Sequence, residues 1–330
     1  MSLPTNYHFD LEDPTWIEHL NSFGYVVVKD VASSDDIARA SEYLHRDLRS
    51  LKIPKNGLVA SLAQSEGAWS VRGLTDVKKV FNKIWETDDL IVSMDAIIAW
   101  KKWKGYDESA NNFEDSPPPR TGGLHLDQNP FDKPDLDCIQ GMMPLLPVTQ
   151  ETGGLELVPK SHLEENKIPF RERYPSMKGR GDWCPLNKDD PLYHDAILVL
   201  AEPGDLILWD SRTIHGGRVG TGKNNQNGNE KENDHKPINA SINDSASHNI
   251  QDQDRAQSDV PLVRLSVTVA MTPRSMASTE TLKVRRDGFN SGTSFSHCPH
   301  ADGTGLNYGQ KKLPAEVNLP ILDESQRSLL

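Results

Sequence analysis

Apolar and polar positions alternate in blocks along this chain. FGYVVVKDV, residues 23–31, is almost continuously β-branched or aromatic, which predicts a strand. In the following SSDDIARASEYLHRDLRSL, Ile37, Tyr43 or Leu44, Leu48 and Leu51 recur at helical spacing, and Ser33 or Ser34 offers an oxygen to cap the first turn. A strand leading into an amphipathic helix is therefore expected. A second helix and strand are predicted within 75–104, the strand near 96–103, after which DESANNFEDSPPPRTGG interrupts regular structure.

Between Leu124 and Val219 the pattern shortens. LHLDQ, CIQGMMPLLPV, GLELVPKSH, DAILVLAEPGDLILWD and TIHGG read as strands separated by turn signals, and VRLSVTVAMTP at 263–273 as the last strand. Such spacing predicts a mainly β fold with flanking helices, a sandwich or barrel rather than parallel βαβ units. Residues 221–260 carry almost no apolar side chains, so they bury too little to offset the entropy lost on ordering; a disordered polar insertion is the expectation. Folds of this type use long chains as one unit, so residues 1–330 read as a single domain.

Composition narrows the partners. A net charge of −12 repels polyanions, and no dense basic patch offsets it, which excludes a general nucleic-acid or anionic-membrane binder. No apolar run reaches the roughly 20 residues needed to span a bilayer, and MSLPTNYHFDLEDPTW lacks the basic and apolar regions of an export signal. Three separated cysteines suit a reducing compartment, so a cytoplasmic protein is expected, with the sequons at Asn239 and Asn243 chance matches.

The chemistry gathers at three residues. His125 and Asp127 stand at i and i+2, so in a strand they project from one face while Leu126 turns away. His215, at the end of another predicted strand, can complete a set of two imidazoles and one carboxylate that leaves three positions open on a metal, the ligand pattern of non-haem Fe(II) oxygenases.

The surrounding segments resemble the phytanoyl-CoA dioxygenase family. GGLHLDQNP is similar to the segment carrying the first two ligands, CIQGMMPLLPVTQETGGLELVPKSH to the strand and turn that follow, and PGDLILWDSRTIHGG to the strand delivering the distal histidine. The resemblance implies a double-stranded β-helix (jelly-roll) core, Fe(II) held by His125, Asp127 and His215, 2-oxoglutarate as co-substrate, and O2. It also implies an arginine, on the strand after the distal histidine, that grips the far carboxylate of 2-oxoglutarate. Arg264 is the candidate, with Ser266 on the same face to add a hydroxyl. In relatives this arginine follows the histidine more closely, but loop-closure entropy grows only logarithmically with length, so an insertion can intervene. Arg218, on a glycine-rich turn, is the competitor. Gln140 matches a polar position that faces the co-substrate in relatives.

The expected reaction is hydroxylation of an unactivated carbon, coupled to decarboxylation of 2-oxoglutarate to succinate. Relatives that halogenate replace the carboxylate at the position of Asp127 with a small residue, so its presence favours hydroxylation. A metal-binding β-helix protein without turnover and a cupin-like enzyme independent of 2-oxoglutarate are the alternatives. Other residues read mainly as structural: His162, Asp205 and Asp210 in turns, Arg212 bracing its loop or meeting substrate, Trp209 in the core with the pocket wall as its alternative, and KVRR at 283–286 on a solvated face rather than against an anionic substrate. Lys101 and Trp103 are placed to reach the site from the preceding strand. His297, Cys298 and His300 resemble metal ligands, but the proline between them and the lack of a fourth partner argue against structural zinc.

Overall fold

Ser33 accepts a hydrogen bond from the Asp36 backbone, and the Asp36 carboxylate accepts one from the Ser33 N–H. This reciprocal cap starts the first long helix at the first of the two candidate serines. The chain is seen in a computed structural model that describes residues 6–103, 106, 117–222, 261–301 and 311–330. Its strands are β1 His8–Phe9, β2 Tyr25–Val28, β3 Leu58–Val59, β4 Leu90–Val92, β5 Ile97–Lys101, β6 His125–Leu126, β7 Ile139–Pro144, β8 Gly153–Leu157, β9 Cys184–Pro185, β10 Ile197–Leu198, β11 Leu206–Asp210, β12 His215–Val219 and β13 Leu262–Pro273. The helices are α1 Thr15–Phe23, α2 Ser34–Leu48, α3 Glu66–Arg72, α4 Thr75–Trp85, α5 Glu164–Arg173, α6 Thr279–Asn290 and α7 Glu324–Arg327.

These strands form two sheets, one ordered β1-β2-β11-β7-β13-β5-β3 with β4 also on β13, the other β10-β8-β12-β6-β9. They form no single closed barrel among the described residues. Pleating sorts the side chains of the larger sheet. Val26, Val28, Leu206, Leu208, Leu265 and Val267 pack with Leu44 and Trp69 of the helices, whereas Tyr25, Val27, Met142 and Ile207 meet Leu155 and Leu157 of the smaller sheet. On its other face the smaller sheet is covered by α5, through Phe170 against Leu124, Leu126 and Ile214. The space between the sheets is thus walled by two pleated surfaces, and inward-pointing residues there become available for chemistry.

Residues 223–260 of the polar segment, with both sequons, lie outside the described residues. Two expectations change: the insertion argument placed the strands carrying His215 and Arg264 side by side, but β12 and β13 belong to different sheets. Within KVRR, Lys283 and Arg286 are exposed, but Arg285 is buried and donates to the backbone carbonyls of Val92 and Pro299. A guanidinium can satisfy several carbonyls from one buried position, which a charge-pattern argument does not anticipate.

Arg72 performs the same service at the centre of the fold. Wholly buried, it donates to the carbonyls of Ala63, Ala96 and Thr268 and lies 3.3 Å from Asp95. Arg72→Met strands those carbonyls and the carboxylate, so it is expected to lower unfolding free energy by about 3–5 kcal/mol in urea denaturation. A loss below ~1 kcal/mol would contradict this account of the core.

Candidate active site

His215 opens β12 directly opposite His125 of β6 in the antiparallel pair, and this register places the imidazole centroids 4.6 Å apart. The approach requires glycine at position 216, where an added Cβ would lie 2.5 Å from the Gly123 carbonyl oxygen. Strand β6 ends at Leu126, so Asp127 stands one residue past it, with Oδ1 3.5 Å from His125 Nε2 and Oδ2 3.3 Å from His215 Nε2. One donor atom from each residue falls within 4.8 Å of the other two. Ligands about 2.1 Å from one metal and at right angles would be ~3.0 Å apart, so a single ion fits with small adjustments.

Hydrogen bonds fix the ring orientations. Nδ1 of His125 is 2.9 Å from the Gly123 carbonyl and Nδ1 of His215 is 2.9 Å from the Thr213 carbonyl. A carbonyl only accepts, so in each neutral ring the proton sits on Nδ1 and the Nε2 lone pair faces Asp127. Burial pushes the His125 imidazole below its usual range, which keeps that lone pair free. Burial alone would raise the Asp127 carboxyl, but positive charge shared among His125, His297 and His215, from a proton or a bound cation, holds it well below the ordinary carboxylate range. The loop after Asp127 is braced by Gln128, which donates to the carbonyls of Lys133 and Asp135 and accepts from the Ser211 hydroxyl.

The cluster opens on a cavity of about 250 Å³ between the sheets. Gln140 of β7 lines it and donates from Nε2 to Asp127 Oδ2 at 3.3 Å. Trp209, expected in the core, is buried yet lines the same cavity, its ring 5.4 Å from that of His215, because β11 alternation turns it inward. Lys101 and Trp103 do not line the cavity; Ile98 and Trp100 do, and the even residues of β5 are the inward ones. Alternation groups Ile98 with Trp100, but only the pairing with β13 shows that this set faces the cavity.

Arg264 lies opposite Trp100 in the β13–β5 pair, with its guanidinium stacked 4.4 Å over the indole. It is 3 % exposed, and no carboxylate forms an ion pair with it among the described residues. Its Nη2 meets only the sulfur of Met142 at 3.4 Å, and its Nε has no hydrogen-bond partner. Burial pushes its pKa down to about 9, so the group stays cationic at neutral pH. Ser266, two residues along, is wholly buried with an unpartnered hydroxyl, but it is not among the residues lining the cavity. Arg218 instead pairs with Glu156 at 2.9 Å and donates to the Ala196 carbonyl on the far face of the smaller sheet.

The remaining polar residues have local partners. His162 Nε2 meets the Asn21 carbonyl, Asp205 accepts from the N–H groups of Asp30 and Glu202, and Arg212 is bound by Asp210.

Two histidines and one carboxylate around a shared point, with a buried guanidinium in the same cavity, form the two-histidine, one-carboxylate ligand pattern that holds non-haem iron. Residues 20–224 match the family model described as phytanoyl-CoA dioxygenase (PhyH), and the chain belongs to that family. It is also similar to Ava biosynthesis cluster protein O of Aspergillus versicolor, 28 % identical over 178 residues. That match covers 47 % of this chain and 49 % of the relative, so the chain spans about half the length of the curated protein. Among solved structures it resembles GlcNAc Inducible Gene 2 of Candida albicans, at 14 % identity and TM-score 0.57, covering 86 % of this chain and 70 % of that one. A likeness to HygX from Streptomyces hygroscopicus, solved with nickel and 2-oxoglutarate bound, has 13 % identity and TM-score 0.48 and covers 83 % and 88 % of the two chains. No helix of the described residues is long and apolar enough to cross a membrane.

Proposed function

We propose that this oxygenase hydroxylates an unactivated carbon of a small molecule on a double-stranded β-helix core, using His125, Asp127 and His215 as iron ligands. The observation that carries the reading is that both Nε2 lone pairs and the ionised Asp127 carboxylate converge, while Arg264 is buried without an anion. Bound there, Fe(II) would supply the O2-dependent decarboxylation of 2-oxoglutarate to succinate that drives substrate oxidation.

The protein's own contribution is placement. Arg264, oriented by the Trp100 face, would take the distal carboxylate of 2-oxoglutarate through two parallel N–H bonds, with Ser266 supplying a hydroxyl after a small shift. Gln140 holds Asp127 Oδ2 and thereby leaves Oδ1 to face the metal position. Trp209 packs beside His215 and limits water on that side. The retained carboxylate of Asp127 favours return of hydroxyl to the substrate over transfer of halide.

Anaerobic addition of Fe(II) and 2-oxoglutarate should produce a visible metal-to-ligand absorption band, and admission of O2 should then yield succinate even without substrate. His125→Ala should give neither; a wild-type protein that binds Fe(II) but shows no band and no succinate would end the reading. Gln140→Ala is expected to weaken Fe(II) binding by about 10- to 100-fold, with the 2-oxoglutarate KM unchanged at saturating iron. Unaltered iron affinity would show that the Asp127 contact does no orienting.

A further inference from the structure

Asp137 and Cys138 lie just before β7, and Cys298 and His300 on the segment that follows α6. Folding brings these two short pairs together across a separation of 163 positions. Nε2 of His300 is 2.9 Å from Asp137 Oδ1, and Cys298 Sγ is 3.6 Å from both ring nitrogens of His300. Asp137, Cys298 and His300 each offer one donor atom within 4.8 Å of the others. Cys138, buried, packs beside Cys298 and Ala270, and its Sγ lies 3.8 Å from the His297 carbonyl oxygen. Of the three residues the sequence singled out, Cys298 and His300 thus gain Asp137 as a third donor, with Cys138 beside them, while His297 stands outside the cluster.

We propose that Asp137, Cys138, Cys298 and His300 form a second metal site, of the thiolate–imidazole–carboxylate class that takes Zn²⁺. In a tetrahedral zinc site, bonds of about 2.3 Å to sulfur and 2.05 Å to nitrogen place those two atoms ~3.6 Å apart, the separation found between Cys298 and His300. An outer shell is already present: the Thr272 hydroxyl lies 3.3 Å from His300 Nδ1 and can fix the tautomer that points Nε2 at the metal. Lys133 holds the other Asp137 oxygen at 3.3 Å. Two thiolates with one carboxylate and one imidazole close the coordination sphere, so the site is structural rather than catalytic. Because Asp137, Cys138, Ala270, His297 and Cys298 line the cavity that holds the iron triad, a metal here would fasten the 294–301 segment against β7 and β13 and set one wall of the substrate space. The proposal does not depend on which substrate is oxidised.

Cobalt separates the two sites, since only the second contains sulfur. Full-length protein, reduced with a phosphine and stripped with chelator, is titrated anaerobically with Co²⁺. Two equivalents should bind, one with an intense near-ultraviolet sulfur-to-cobalt band. His125→Ala should retain that band while losing one equivalent, and Cys298→Ala should lose the band while keeping the other. Cys184→Ser should leave both unchanged, and Cys138→Ser should reduce the band by about half if that sulfur is a ligand. A wild-type titration with no sulfur-to-cobalt band overturns the proposal without reference to any variant, as does a band that survives in folded Cys298→Ala. Unchanged intensity in Cys138→Ser removes Cys138 from the site.

Discussion

Arg264→Met is expected to raise the dissociation constant of 2-oxoglutarate by roughly 10²–10³-fold and to leave the ligand-free protein as stable as wild type or more so. The first half follows from removing one partner of a buried, charge-assisted pair, which costs about 2–5 kcal/mol of binding. The second follows from the ligand-free site, where the guanidinium is buried, stacked on Trp100 and without a carboxylate among the described residues. Exchanging an uncompensated buried charge for an apolar side chain of similar length removes its desolvation cost. Thermal unfolding with and without 2-oxoglutarate measures both: the large shift that the ligand produces in wild type should vanish in the variant, whose own midpoint does not fall. Arg264→Lys should remain defective, because an ammonium neither forks onto a carboxylate nor stacks flat on an indole. A variant that loses stability but binds 2-oxoglutarate normally would reassign Arg264 to the core.

His215→Ala should abolish turnover and weaken Fe(II) binding by more than the 10- to 100-fold that loss of an outer partner produces. Its Nδ1 bond is to the carbonyl of Thr213, and its Nε2 faces only Asp127, so little else in the fold relies on it. The unfolding midpoint should therefore change little while iron affinity collapses, and isothermal titration beside a melting curve separates the two effects. Retention of tight iron binding by the folded variant would mean that the metal sits elsewhere.

That His125, Asp127 and His215 would lie together was legible because their proximity rests on local rules. His125 and Asp127 are two positions apart, close enough to be read as a pair although β6 ends between them at Leu126, and the segments flanking His215 carry their own family pattern. Arg264 was reachable through the same pattern despite the long separation from His215. What the sequence concealed depends on closure in three dimensions. Alternation cannot say which face of β5 looks inward until the register with β13 is known, so Trp100 was passed over for its neighbours. Trp209 satisfies the criteria of a core residue and of a cavity wall at once. Arg285 sits in a basic run, yet its burial is decided by the carbonyls of Val92 and Pro299, which come from distant parts of the chain. The thiol cluster is the extreme case: Cys298 and His300 stood out in the sequence, but nothing there pointed to Asp137 and Cys138, which only the fold brings beside them.

The central claim is that one ferrous ion is held between His125, Asp127 and His215 with 2-oxoglutarate reaching to Arg264. Anomalous diffraction at the iron edge, from crystals grown anaerobically with Fe(II) and 2-oxoglutarate, tests it directly. The account predicts a peak within about 2.0–2.2 Å of both Nε2 atoms and an Asp127 oxygen, with the far carboxylate of 2-oxoglutarate against the Arg264 guanidinium. An iron peak at the Cys298 cluster with none at the three ligands, or a 2-oxoglutarate carboxylate remote from Arg264, would contradict it.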